Sequence, residues 1–163
     1  MFLDLDETLI HCLDNSECEA DFRLKITIEG VLVDLDILIR PYALTFLKKI
    51  CKRWEVVIFT ASHQEYADAI LNEIDPDGTL FHHRLYRQHC IYLNDLYVKD
   101  LSRVNRDSSK LVLVDNAAYS YCLQLANAIP ILPYYDGKDF ELAALESYLG
   151  QLEKVSDIRL MNG

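Results

Sequence analysis

The residues able to do chemistry begin almost at once. A two-residue apolar step, Phe2-Leu3, runs straight into Asp4-Leu5-Asp6-Glu7-Thr8. The carboxylates at Asp4, Asp6 and Glu7 repel one another, and no lysine or arginine occurs before Arg23 to offset them. Acids crowded at the end of a buried strand need a cation or a proton to be tolerable. Two further apolar runs stop just as abruptly, 56–59 at Thr60 and 111–114 at Asp115, which Asn116 follows. In an open parallel sheet the ligand crevice lies at the carboxyl ends of the strands, beside the point where strand order reverses. If these three strands are neighbours, Asp4, Thr60 and Asp115 converge there. A second Asp-Leu-Asp, at Asp34 and Asp36, alternates with Val33, Leu35 and Ile37, and is read instead as the solvated face of a strand.

Several elements must position these side chains. Residues 22–39 read as a hairpin turning at Glu29-Gly30. Pro41 suits the first position of a helix carrying Leu44, Phe46, Leu47 and Ile50 and ending near Arg53. Residues 55–60 form a strand-type run, and a helix is predicted over 64–74 with Tyr66, Ala67, Ile70 and Leu71 on one face. Asp75-Pro76-Asp77-Gly78 is a turn, because Tyr86 stands where a calcium loop needs its last glutamate. Short strands follow near 81–87 and 90–93, a buried one at 110–114, another at 128–132, and a final helix at 139–154. Apolar strands alternating with amphipathic helices predict an α/β fold: an open sheet of mainly parallel strands, with a short β-hairpin insertion at about 22–39.

The 163 residues suit one domain, 1–163, with an ordinary balance of 51% hydrophobic and 26% charged residues. A net charge of -10 argues against direct nucleic-acid binding, and no stretch is long enough for a membrane span. Five scattered cysteines without a Cys-x-x-Cys pair argue against zinc and against a disulfide framework. An intracellular location, nuclear or cytoplasmic, is expected. Only Phe2 and Leu3 lie between Met1 and Asp4, fewer than the roughly five or six residues of a usual strand. The expectation is a trimmed chain whose targeting sequence is missing.

Asp4-Leu5-Asp6-Glu7-Thr8-Leu9, Phe59-Thr60-Ala61-Ser62, Arg84-Leu85-Tyr86-Arg87, Tyr97-Val98-Lys99-Asp100-Leu101-Ser102 and Val114-Asp115-Asn116 together resemble the FCP/SCP-type phosphatases. These are protein serine phosphatases of the haloacid dehalogenase (HAD) superfamily, related to the RNA polymerase II C-terminal-domain small phosphatases and to Dullard. The likeness runs from Phe2 to about Leu152. It implies a HAD-like Rossmannoid fold and hydrolysis of phosphoserine or phosphothreonine in a protein or peptide, the polymerase tail among the candidates. By resemblance Asp4 is the nucleophile that forms a phospho-aspartyl intermediate, and Asp6 is the acid and then the base. The resemblance assigns Mg²⁺ to Asp4, the Asp6 carbonyl and Asn116, with Asp115 in support; hard oxygen donors suit that ion. Thr60 and Lys99 would stabilise the transferring phosphoryl group, and Thr8, Ser62 and Arg87 would contact substrate.

The same resemblance makes Ile26, Ile28 and Leu35 part of an apolar wall for the peptide. This chain departs from the family pattern at Ala117-Ala118, where Ser-Pro is usual, and at Asp14 and His63, where an aromatic and a leucine are expected. Those two positions predict a more polar pocket, weak discrimination for proline-flanked polymerase-tail peptides, and a preference for a nearby basic residue. Two alternatives stay open at this point: a small-metabolite HAD phosphatase, and a catalytically silent Tim50-type binding module.

Overall fold

In this computed structural model residues 1–13 and 19–162 are described. Asp14, whose pocket role the sequence raised, lies outside them. The chain opens with β1 (Phe2–Leu3), β2 (Ile10–Leu13), β3 (Phe22–Ile28), β4 (Val31–Ile39) and α1 (Ala43–Ile50). It continues through β5 (Val57–Phe59), α2 (Gln64–Ile74), β6 (His83–Leu85), β7 (Ile91–Leu93) and β8 (Leu96–Val98). It closes with β9 (Leu113–Asp115), β10 (Ala128–Pro130), α3 (Glu141–Leu152) and the single turn α4 (Arg159–Asn162).

The central sheet has the order β10-β9-β1-β5-β6, and every pairing in it is parallel. The chain steps outward from β1 through β5 to β6, then returns to β9 on the other side of β1. Strand order therefore reverses at β1, the strand that ends at Asp4. The inner strands β1, β5 and β9 are apolar up to the residues that end them, because both of their faces are covered, whereas the edge strand β6 carries His83 and Arg84. Leu3, Ile58 and Val114 share one core with Phe46 and Ile50 of α1, Ile70 and Leu71 of α2, and Leu145 and Leu149 of α3. Phe2, Val57, Phe59 and Leu113 face the other way, against Leu101, Leu111, Val104 and Tyr121 from 3₁₀ turns and loops.

The expected hairpin is present, and it is larger than its two strands. β2 adds to β4, giving an antiparallel sheet of order β2-β4-β3. Glu29 and Gly30 both have positive φ (49° and 83°), as a tight hairpin turn with right-handed twist demands. Asp36 sits opposite Arg23 and Asp34 opposite Lys25, each within salt-bridge distance, so the second Asp-Leu-Asp is a charged outer face.

Two local expectations are corrected. α1 begins at Ala43 behind a left-handed Tyr42 (φ 73°), so Pro41 stands before the helix and not at its first position. Leu44 is exposed, while Ala43, Phe46, Leu47 and Ile50 form the buried stripe. The 64–74 helix appears as α2, and the Asp75 carboxylate caps its following turn by accepting from the backbone N–H groups of Thr79, Leu80 and Phe81.

Candidate active site

Register brings the three abrupt strand ends together. Leu3 pairs with Ile58 on one side and Val114 on the other, so the next residues along, Asp4 and Asp115, end adjacent strands, with Thr60 beyond β5. The cleft above them has a volume of about 290 Å³. Its walls include Asp4, Asp6, Thr60, Ser62, Arg87, Lys99, Asp115 and Asn116.

Lys99 lies at the centre of the arrangement. Its Nζ donates to Asp4 Oδ1 at 2.6 Å and to Asp115 Oδ2 at 2.5 Å, and all three side chains are buried. It follows β8, far along the chain from the acids it serves, so it supplies the balancing charge missing from the sequence around Asp4. Burial opposes its charge, yet the two carboxylates outweigh that and hold its pKa above the ordinary lysine value. One ammonium between two carboxylates leaves negative charge in excess. Burial raises the Asp4 carboxyl to about 7, with Asp115 and Asp6 adding to the effect and Lys99 opposing it. The pocket thus retains a demand for more positive charge.

Asp4 Oδ2 accepts from the Thr8 hydroxyl at 3.0 Å, and the same hydroxyl lies 3.5 Å from Asn116 Oδ1. A single hydroxyl reaching both shows that the Asp4 and Asn116 oxygens converge. Their hard-oxygen character, together with the surplus negative charge, fits a magnesium-type cation. Asp115 is differently placed, its Oδ2 taken by Lys99 and its Oδ1 accepting from the Ala117 N–H at 2.8 Å. It braces Lys99 and the Asn116 loop.

Asp6 is held on both oxygens. Oδ2 accepts from Ser62 Oγ at 2.7 Å and more distantly from Thr60 Oγ1 at 3.4 Å, while Oδ1 accepts from the Tyr66 hydroxyl at 2.6 Å. Thr60 Oγ1 in turn accepts from the Ser62 N–H at 3.0 Å, which fixes the loop between β5 and α2. Tyr66 was legible only as part of the apolar face of α2. Ser62 lies before α2 and Tyr66 on its first turn, so the two hydroxyls meet Asp6 only through the placement of the loop after β5, and no local pattern announced it. Burial, with Asp6 beside it, pushes the Tyr66 hydroxyl pKa strongly upward, so it acts as a donor.

The loop bearing these acids is itself clamped. Glu7 adopts a left-handed backbone (φ 56°), a costly conformation for a residue with a side chain. Its carbonyl accepts from Tyr134 N–H at 2.8 Å and from Arg40 at 3.4 Å. Arg40, fully buried, also donates to the carbonyls of Thr8 and Leu132 and makes a two-point pair with Asp139 at 2.9 and 2.8 Å. Arg40 was not singled out from the sequence, because its partners are remote in the chain, Glu7 and Thr8 before it and Leu132 and Asp139 far beyond it.

Of the remaining sequence candidates, Arg87 lines the cleft, whereas Arg84 pairs with Asp68 outside it. Ile26, Ile28 and Leu35 do not join the cleft wall. Leu35 is only 6% exposed and belongs to the main core, which Ile26 packs against, so Leu35 has no surface to offer a peptide. β3 lies beside α2, and Ile26 and Ile28 on it stay half-exposed.

A parallel α/β sheet presenting two acids on adjacent strand ends, bridged by a buried lysine and flanked by a third acid, defines the phosphotransferase-like class of HAD folds. Residues 1–159 match the family described as NLI interacting factor-like phosphatase, and the chain belongs to that family. A probable C-terminal domain small phosphatase of Dictyostelium discoideum is 41% identical over 162 residues, covering 99% of this chain and 53% of the relative. The human carboxy-terminal domain RNA polymerase II polypeptide A small phosphatase 1 is 38% identical over 157 residues, covering 96% of this chain and 60% of its own. The chain thus spans little more than half the length of these relatives. Among solved structures, the fission yeast RNA polymerase II CTD phosphatase Fcp1 bound to beryllium fluoride shares the fold, with a TM-score of 0.71 at 23% identity over 93% of this chain and 50% of that one. Among the described residues no helix is long and apolar enough to cross a membrane.

Proposed function

We propose that this chain is a Mg²⁺-dependent protein serine/threonine phosphatase working through a phospho-aspartyl intermediate. The observation that carries the reading is the Asp4–Lys99–Asp115 bridge with Asp6 held beside it. Asp4 and Asp6 are two carboxylates in one cleft with different environments, as separate nucleophilic and acid–base roles require. An Asp4 oxygen bonds to phosphorus as the ester P–O bond breaks, and Asp6 gives its proton to the departing serine oxygen. In the second half Asp6 takes a proton from the water that attacks phosphorus, the Asp4–phosphorus bond breaks, and inorganic phosphate leaves.

Lys99 is already in place for the charge that develops on phosphoryl oxygens and needs no reorganisation to meet it. Thr60, bonded to Asp6 only at 3.4 Å, can turn its hydroxyl hydrogen to a phosphoryl oxygen. Asp4, the Asp6 carbonyl and Asn116 would hold the magnesium ion, with Asp115 in support. When bound, the ion neutralises charge on the phosphoryl group and the surplus charge of the acids.

The proposed substrate class is supported by the relatives, which include an RNA polymerase II polypeptide A small phosphatase. Phosphoserine or phosphothreonine in an extended peptide is the proposed substrate, with the RNA polymerase II C-terminal domain one member of the test panel. Hydrolysis of p-nitrophenyl phosphate with and without Mg²⁺ tests the activity. Phosphopeptides differing in flanking proline and basic residues then test the substrate. Absence of Mg²⁺-dependent turnover refutes the enzyme reading.

A further inference from the structure

His63 occupies the N-cap of α2, a position where Ser, Thr, Asp or Asn usually bonds the free backbone N–H groups. It makes no such bond. Its Nε2 lies instead 2.7 Å from an Arg87 terminal nitrogen. A guanidinium can only donate, so Nε2 must be the unprotonated nitrogen and the ring hydrogen sits on Nδ1. Nδ1 faces Glu29 Oε1 at 3.9 Å, on the turn between β3 and β4, where a hydrogen is electrostatically favoured. Arg87 is restrained on two further sides: Nε donates to the Ala61 carbonyl at 2.6 Å, and the guanidinium lies 4.8 Å from the Tyr97 ring centroid.

We infer that His63 is a positioning residue, fixing the Arg87 guanidinium at the mouth of the cleft as a preformed receptor for the phosphoryl group. A free arginine is a long, rotamer-rich side chain that loses freedom when it grips an anion. Here that freedom is already spent on Ala61, His63 and Tyr97, while the other terminal nitrogen makes no hydrogen bond among the described residues. The effect falls on ground-state affinity for phosphate. The inference rests on the phosphatase reading for its kinetic arm alone, since anion binding can be measured without turnover.

The test compares wild type, His63→Leu, His63→Gln, Arg87→Ala and the His63→Leu/Arg87→Ala double variant. Four quantities are read: KM and kcat on p-nitrophenyl phosphate with Mg²⁺, the Kd for inorganic phosphate by calorimetry, and the His63 tautomer by nitrogen NMR. His63→Leu should raise KM and the phosphate Kd by about tenfold, the size of one hydrogen bond to a charged group, and change kcat less. His63→Gln, whose side-chain oxygen can accept from Arg87, should recover most of the loss. In the Arg87→Ala background His63→Leu should add almost nothing, and the wild-type ring should carry its hydrogen on Nδ1.

A phosphate Kd within about twofold of wild type in His63→Leu overturns the inference, as does an undiminished loss in the Arg87→Ala background. Wild type that binds phosphate through His63 but hydrolyses nothing sinks the phosphatase reading and leaves this inference standing. Wild type that turns over substrate without His63-dependent binding does the opposite.

Discussion

Asp139→Ala tests the clamp behind the loop that carries Asp4, Asp6 and Glu7. The variant removes both acceptors of the two-point pair and leaves the buried Arg40 guanidinium with the carbonyls of Glu7, Thr8 and Leu132 and the Tyr134 ring. Breaking a buried ion pair by deleting one partner costs about 3–5 kcal/mol, against a total stability of about 5–15 kcal/mol for an ordinary domain. The Asp139 side chain keeps 15% exposure and the carbonyls remain, so the low end, about 3 kcal/mol, is expected.

The pH dependence follows from the same contact. Hydrogen bonds from Arg40 hold the Asp139 carboxyl below the usual carboxylate range, against the opposing effect of partial burial. The folded state therefore binds that proton less readily than the unfolded chain. The contribution is present above the unfolded value, about 3.9, and disappears as pH falls through the lower folded value. Urea midpoints of wild type and Asp139→Ala should differ by a constant amount above about pH 5, and the gap should close below it. A gap under about 1 kcal/mol at neutral pH, or one indifferent to acid, refutes the assignment of Arg40 and Asp139 as the clamp.

Three further outcomes are expected. Asp4→Asn should abolish turnover while leaving a folded protein, checked by steady-state assay and circular dichroism; substantial residual activity excludes the phospho-aspartyl route. Lys99→Ala should lower kcat by about two to three orders of magnitude through loss of a preorganised charge. Because it also leaves Asp4 and Asp115 facing each other in a buried site, a lower melting temperature should accompany the kinetic loss. Chelation should silence p-nitrophenyl phosphate hydrolysis, and Mg²⁺ should restore it without refolding; activity that survives exhaustive chelation removes the proposed metal role.

Much of this was legible in the sequence because its signals are local. Apolar runs ending at Asp4, Thr60 and Asp115 announced both the strands and their chemical ends, and α2 was readable from its 3.6-residue periodicity. The charged face at Asp34 and Asp36 was distinguishable from the site at Asp4 by strict alternation with Val33, Leu35 and Ile37. What escaped depends on partners remote in the chain. Arg40 gives no hint that Asp139 will meet it, and Tyr66 looks like any helix aromatic until Asp6 is placed beside it. Leu35 escaped for a related reason: alternation says that it faces inward, but not whether inward means the core or the cleft.

The pairings of β1 have a consequence for how the molecule is assembled. Phe2 pairs with Val57 on one side and Leu113 on the other, and Asp4 meets its balancing cation only at Lys99. The strand at the middle of the sheet thus has no local neighbour, and its pairings are among the most distant in the chain. Loop closure must be completed before those contacts return anything, which favours slow, late docking of the centre. Until then the apolar edge of β5 and the uncompensated acids of the 4–7 segment remain open together. The first appearance of the proposed phosphatase activity during refolding should therefore mark the final step of folding and lag behind the recovery of helical signal from α1 and α2.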